Sequence, residues 1–211
     1  MRLYLASTSP ARLATLRAAG VEPIAVSPHV DEEALVASVE AAAGPLEAPA
    51  MVELLARAKA EAIIGRDVHG GPIDGLILGG DSAFLFDGVI YGKPHLPAVA
   101  RERWLRQSGR SGVLYSGHWL IDHRIGRPAR AVGAVAQATV TFAEVDEFEI
   151  DAYVATGEPL KVAGAFTIDS LGGPFIRSVD GDPSTVIGLS LSTLRDLVRD
   201  LDVEWPTLWN R

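Results

Sequence analysis

Three observations predict an α/β fold. Apolar runs of strand length alternate with helical patterns through the first half of the chain, a Val- and Thr-rich middle reads as antiparallel strands, and the last helix carries a clear apolar stripe. The 211 residues suit one large domain or two small lobes. A content of 48% hydrophobic and 22% charged residues is that of an ordinary folded protein with a substantial core.

The elements follow in order. Residues 3–6 read as a first strand and Ser7-Thr8-Ser9-Pro10 as a turn. A helix over 11–19 then has Ser9 as N-cap, Pro10 at its first position and Gly20 as its stop. A short strand over 21–27 leads to the acidic cluster Asp31-Glu32-Glu33. An Ala/Glu/Pro-rich link near 40–50 precedes a long helix from about 50 to 66. Lys59 lies four residues from both Leu55 and Ile63 on that helix and so flanks their face. Residues 67–74 read as a loop, and Leu76-Ile77-Leu78-Gly79-Gly80 as a buried strand ending at Asp81. Residues 83–91 read as two strands joined at Asp87-Gly88. After Gly92-Lys93-Pro94 comes a helix over 97–107, then an antiparallel meander over 112–142. Asp146 with Glu149 has capping-box spacing and opens another helix. Residues 164–188 form a loop-rich stretch dense in Gly and Asp. Leu191, Leu194, Leu197, Val198 and Leu201 make the final stripe.

Composition excludes several classes of function. A formal net charge of -8 leaves no broad electrostatic footprint for duplex DNA or RNA, so a polyanionic ligand must meet a local positive pocket. Without cysteine there are no disulfides, thiolate zinc sites or cysteine nucleophile. No run approaches the roughly 20 apolar residues of a membrane span. The apolar part of the N-terminus is too short for a signal peptide, so a cytoplasmic protein is expected. The five histidines show no HxxxH or HExxH pattern, and no G-x-x-x-x-G-K-[ST] loop is present.

The candidate chemistry gathers around phosphate. Asp81, where a buried strand is expected to open onto a site, can anchor Mg²⁺ or accept a proton from an attacking water; it can equally be a turn acid. Asp31 and Glu32 are the other acid candidates, against a plain reading as solvated loop residues. Ser7-Thr8-Ser9-Pro10 supplies hydroxyls, free N–H groups and the positive end of a helix dipole, which makes an anion site as well as an N-cap. Arg12 is a cation in the first turn and opposes that dipole, an arrangement explained by an anion bound there. Pro94 restrains Lys93 to extended conformations. Arg12, Lys59 and Lys93 together can neutralise phosphate oxygens as a P–O bond breaks, although each alone is an ordinary cation. Gly164-Ala165-Phe166 and Ile168-Asp169-Ser170-Leu171-Gly172-Gly173 read either as a wall for a flat base or as a plain Gly-rich loop. Asp180-Gly181-Asp182-Pro183-Ser184 lacks the rest of a calcium-ligand spacing and reads as a turn.

Seven segments in order carry a family resemblance. They are the Ser7-x-Ser9-Pro10-x-Arg12 start, Leu55-Ala56-Arg57-Ala58-Lys59-Ala60, Gly79-Gly80-Asp81-Ser82, Gly92-Lys93-Pro94, Ser108-Gly109-Arg110, Ala155-Thr156-Gly157-Glu158-Pro159 and Gly181-Asp182-Pro183-Ser184. With them the chain resembles, over nearly its whole length, the Maf nucleoside triphosphate pyrophosphatases, also called septum-formation-inhibitor-like proteins. The resemblance implies one domain over 1–211, with an elongated mixed sheet flanked by helices and two lobes around a central cleft, like the inosine triphosphate pyrophosphatases, and usually a homodimer. It implies hydrolysis of a nucleoside triphosphate, canonical or modified, to the monophosphate and pyrophosphate with a divalent cation, Mg²⁺ or Mn²⁺. Carried over by position, Asp81 becomes the general base. Ser7, Ser9, Arg12, Lys59 and Lys93 then line the phosphates, and Glu32 joins Asp81 at the metal.

Base preference is where the chain departs from the family. The uridine/thymidine branch has Arg, Thr and Gln where Ala11, Ser82 and Asp169 stand; the methylguanosine branch has an aromatic residue in place of Ala11 and an acid in the position of Asp169. An ionised Asp169 only accepts hydrogen bonds, whereas a Gln amide also donates. Guanine offers adjacent N–H donors, so guanine-like or broader substrates are expected. The alternative is a non-catalytic nucleotide-binding regulator of division, against which stands the retention of Asp81, Lys59 and Lys93.

Overall fold

The structure is a computed structural model that describes residues 1–210. Strand β1 (Leu3–Ala6) is buried along its length, and α1 (Pro10–Ala18) follows with Ser9 as N-cap and Pro10 in its first turn. Strand β2 (Ile24–Ala25) is much shorter than the predicted 21–27. Pro23 has no N–H for a ladder, and β2 lies at the sheet edge with β1 as its neighbour. Helix α2 (Glu32–Ala43) forms where the sequence reading has only an acidic cluster and a link. Asp31 caps it by accepting the Ala34 N–H, Glu32 and Glu33 complement the dipole, and Gly44 at φ 88° stops it. Helix α3 (Ala48–Glu61) begins and ends earlier than predicted, with Pro49 fitting its first turn. The predicted loop over 67–74 contains a small hairpin of β3 (Asp67–Val68) and β4 (Gly71–Pro72).

The chief correction concerns β5 (Gly75–Phe86), one 12-residue strand that continues through Asp81 instead of ending there. It turns at Asp87-Gly88 into β6 (Val89–Tyr91), the predicted hairpin. Helix α4 (Pro97–Gln107) has the predicted bounds. The meander is one long hairpin of β7 (Ser111–His123) and β8 (Arg130–Phe142). Helix α5 (Glu147–Ala155) carries the full capping box between Asp146 and Glu149. The loop-rich stretch also holds β9 (Ile176–Asp180) and the short α6 (Pro183–Ile187), and α7 (Leu191–Asp200) closes the fold.

The seven-stranded sheet runs β2-β1-β5-β7-β8-β9, with β6 also paired to β5. Its β2–β1 and β1–β5 pairs are parallel and the others antiparallel, so the sheet is mixed. Strand alternation distributes the core. Leu3, Leu5, Leu76 and Leu78 meet Leu194, Leu197 and Val198 of α7 on one face, while Tyr4, Ala6 and Ile77 meet Ala60 of α3 and Ile63 on the other. Beyond residue 83 a third cluster takes over, with Phe84, Phe86, Trp104, Phe142, Tyr153 and Phe166 packed edge to face in several pairs. Asp81 and Ser82 lie on β5 between these cores.

Candidate active site

Pairing register creates the site. Strand β7 takes one edge of β5 along residues 75–85, so β1 and β6 must share the other edge. There β1 covers 76–79 and β6 covers 84–86, which leaves residues 80–83 as a gap. Both neighbours point their exits into it. Strand β1 runs parallel to β5 and leaves at Ala6 opposite Gly79, sending the Ser7–Ser9 turn toward the gap. Strand β6 runs antiparallel and leaves at Tyr91 opposite Phe84, sending Gly92-Lys93 toward it from the other end. Two chain exits thus face the gap beside Asp81 and Ser82, where the sequence reading expected a strand end.

Alternation along β5 then sorts the side chains. Gly79 and Asp81 share the face covered by α3. A Cβ on Gly79 would lie 2.0 Å from the Ala56 carbonyl oxygen, and one on Gly117, opposite Asp81 on β7, would lie 2.3 Å from that of Val52. Two glycines thus let the helix backbone rest directly on the sheet, and Lys59 in its last turn reaches Asp81. The Lys59 Nζ donates to Asp81 Oδ1 at 2.6 Å and pairs with Glu32 Oε1 at 2.9 Å. The Lys59 and Asp81 side chains are only 8% and 13% exposed, against 46% for Glu32, so α2 brings its carboxylate to the ammonium from the solvent side. Burial pushes Asp81 above the usual carboxylate range; Lys59 and Arg12 act against it, and Glu32 adds a like-charge push upward.

Gly80 and Ser82 share the opposite face, and here lies Arg12. Its Nε donates to the Gly188 carbonyl at 2.8 Å, Nη1 to the Ser7 hydroxyl at 3.3 Å and Nη2 to the Ser82 hydroxyl at 2.9 Å. Burial lowers the pKa of Arg12, opposed by Asp81 and Glu32. Internal acceptors and two acids therefore already account for a cation in the first turn of α1. The Ser82 hydroxyl also meets that of Ser116, its cross-strand partner, at 3.0 Å, and Ser116 lies 2.9 Å from the Thr185 carbonyl. This chain from α1 through β5 and β7 to α6 contains Ser116 and Thr185, which no motif marks in the sequence.

The remaining predicted residues are placed as follows. Ser7 is buried and its hydroxyl accepts the Ser9 N–H at 3.1 Å, while the Ser9 hydroxyl caps α1 by accepting the Arg12 N–H at 3.4 Å. Ala11 is half-buried on α1. Lys93 and Asp169 are exposed and lie on loops, outside the Lys59–Asp81–Glu32 contact set. The Asp180–Ser184 stretch, read as a turn, is the junction from the last residue of β9 through Gly181 and Asp182 into the first turn of α6. Asp182 caps α6 and accepts from Ser184, Ser190 and Ser192, and although burial works the other way, these bonds hold it below the usual carboxylate range. His118 is fully buried, accepts the Ser190 N–H at Nε2 and is kept neutral by burial, with its pKa down to about 4.

A family model described as Maf-like protein matches residues 2–201. A protein of Leifsonia xyli subsp. xyli, named nucleoside triphosphate pyrophosphatase, is 69% identical over 211 residues, covering 100% of this chain and 98% of that one. Proteins of the same name from Salinispora tropica and Nocardia farcinica are 52% and 47% identical, covering 100% and 98% of this chain and 88% and 96% of their own.

Proposed function

The chain belongs to the Maf-like protein family, and from that premise we propose that it is a nucleoside triphosphate pyrophosphatase, a hydrolase that uses a divalent cation and Asp81 as general base. The observation that carries the reading is the convergence of two carboxylates, Asp81 and Glu32, on one Lys59 ammonium at the gap in the β5 edge. The name shared by the relatives supports the substrate class.

The donor set fits a hard cation. Asp81 and Glu32 offer carboxylate oxygens, and no group of three or more His, Cys, Asp or Glu able to hold a metal occurs among the described residues. Water and substrate phosphates would complete the coordination, as Mg²⁺ or Mn²⁺ accepts. When bound, the cation would supply neutralisation of phosphate charge. In the proposed reaction a water oxygen bonds to the α-phosphorus, its proton passes to Asp81, and the P–O bond toward the β-phosphate breaks to release pyrophosphate. A buried Asp81 with a raised pKa is a better proton acceptor than a free carboxylate. Lys59 orients both acids, Lys93 approaches the phosphates from the β6 side, and Asp169 biases base choice toward guanine-like partners.

The test is a panel of canonical and base-modified nucleoside triphosphates with Mg²⁺ or Mn²⁺, with product analysis that separates pyrophosphate from orthophosphate. Pyrophosphate plus monophosphate is expected, reduced by about two or more orders of magnitude in Asp81→Ala. Retained nucleotide binding without turnover would instead favour a binding regulator.

A further inference from the structure

Glu158 is a carboxylate that the proposed reaction does not use, yet it gathers more donors than Asp81 or Glu32. It opens the short 3₁₀ turn Glu158–Lys161 after α5. Its Oε1 accepts from the Tyr153 hydroxyl at 2.9 Å, the Thr167 hydroxyl at 2.5 Å and the Gly172 N–H at 3.1 Å, and its Oε2 accepts from the Ser170 hydroxyl at 2.7 Å and the Leu171 N–H at 3.3 Å. Four of these five donors belong to segment 167–172, so one anion folds the loop that carries Asp169 around itself. Partial burial works against its ionisation, but the hydrogen bonds bring its pKa down to about 2.

The same turn also reaches the Lys93 loop. The Leu160 carbonyl accepts the His95 N–H at 3.1 Å, and the Gly92 carbonyl on the other side of Lys93 is held by Arg103 at 2.5 Å. Segment 167–172 is fixed from its other end by Phe166, whose ring lies 5.1 Å from that of Phe84, three residues beyond Asp81 on β5. The Ala165 and Gly164 carbonyls accept from Trp104 at 2.7 Å and Gln107 at 3.0 Å. Lys93 and Asp169 thus sit on two loops with a common bracket.

We propose that Glu158 is a positioning residue for nucleotide recognition, its carboxylate setting the shape of segment 167–172 while the turn it opens holds the Lys93 loop. This rests on the reading of the site above, in which both loops face the nucleotide. Glu158→Gln tests it, because an amide nitrogen at either oxygen opposes a backbone N–H, that of Leu171 or that of Gly172. The expected result is a folded variant whose ratio of kcat/KM for GTP against UTP moves about fivefold to tenfold, mostly through KM. Ser170→Ala, which removes one exposed donor, moves the ratio the same way by less. Combining Glu158→Gln with Asp169→Asn changes the ratio no more than the larger single effect, because both act through one segment. A ratio unmoved in both single variants, or simple additivity in the double, overturns the proposal; if Glu158→Gln does not fold, Ser170→Ala decides. Where the wild type releases no pyrophosphate, the pyrophosphatase reading fails separately. The ratio is then taken from Kd values of the α,β-methylene analogues, and an unmoved ratio or no binding at all overturns the positioning role.

Discussion

Lys59 is the residue on which the candidate site turns, since it is buried and has an acid on either side. Replacing it with Met leaves Asp81 buried with only Arg12 to oppose the upward push of desolvation, so the Asp81 pKa rises further. Titration of the metal-free protein, followed at the Asp81 carboxyl by NMR, measures this, and an unmoved Asp81 in Lys59→Met would show that Lys59 does not hold the carboxylate ionised. Loss of one partner from so buried a pair also costs about 3–5 kcal/mol of stability. That Lys59 and Asp81 are candidates for one site was legible in the sequence, because a Lys flanking an apolar helical face and an Asp closing an apolar run are both conspicuous, and the structure brings the two into contact. Their division between faces was not. Arg12 and Lys59 read as one cationic set, and only β5 alternation puts Ser82 with the first and Asp81 with the second.

At the scale of elements, glycines decide how closely helices approach. Gly79-Gly80 before Asp81 reads in sequence as the end of a strand, yet Gly79 is there because the backbone of α3 occupies the space of its side chain. Gly79→Ala is expected to push α3 outward and destabilise the protein by about 1–3 kcal/mol, seen as a lower midpoint in urea unfolding. It also draws Lys59 away from Asp81, so activity falls by more than the lost stability explains. If turnover per folded molecule is unchanged, α3 does not need that seat. The bounds of α1 and α4 were readable to within a residue, the capping box marked where α5 starts, and the apolar stripe marked α7. Helix α2 was missed because its composition suggests a solvated linker, although Asp31, two acids in the first turn and Gly44 together spell its bounds. That the exits of β1 and β6 face one gap depends on which strands share an edge of β5, information that one chain read linearly does not carry.

Across the whole molecule, acid stability follows from three depressed carboxylates, one of them Asp122, which its hydrogen bonds from Arg124 hold below the usual range. Glu158, lowered from an ordinary 4.5 to about 2, and Asp182, lowered from 3.8, each bind protons more weakly in the folded chain than in the unfolded one. Their contribution is complete above the unfolded values and disappears as pH falls through the folded ones. Asp81 has the opposite sign, since burial makes its ionised form the unfavourable one. Equilibrium unfolding between about pH 4.5 and 2 should therefore fall less steeply in Glu158→Gln than in wild type, and equal slopes would count against the Glu158 network. The molecule is also unevenly held together. Helix α3 buries six residues against the sheet, whereas α2 buries none, and it is α2 that delivers Glu32. Amide hydrogens of α2 are then expected to exchange with solvent far faster than those of α3, by local opening that leaves β5 and its core closed. One half of the acid pair thus stands on the central sheet and the other on a helix with no buried residue, so a nucleotide that engages Glu32 would announce itself as slowed exchange along the whole of α2.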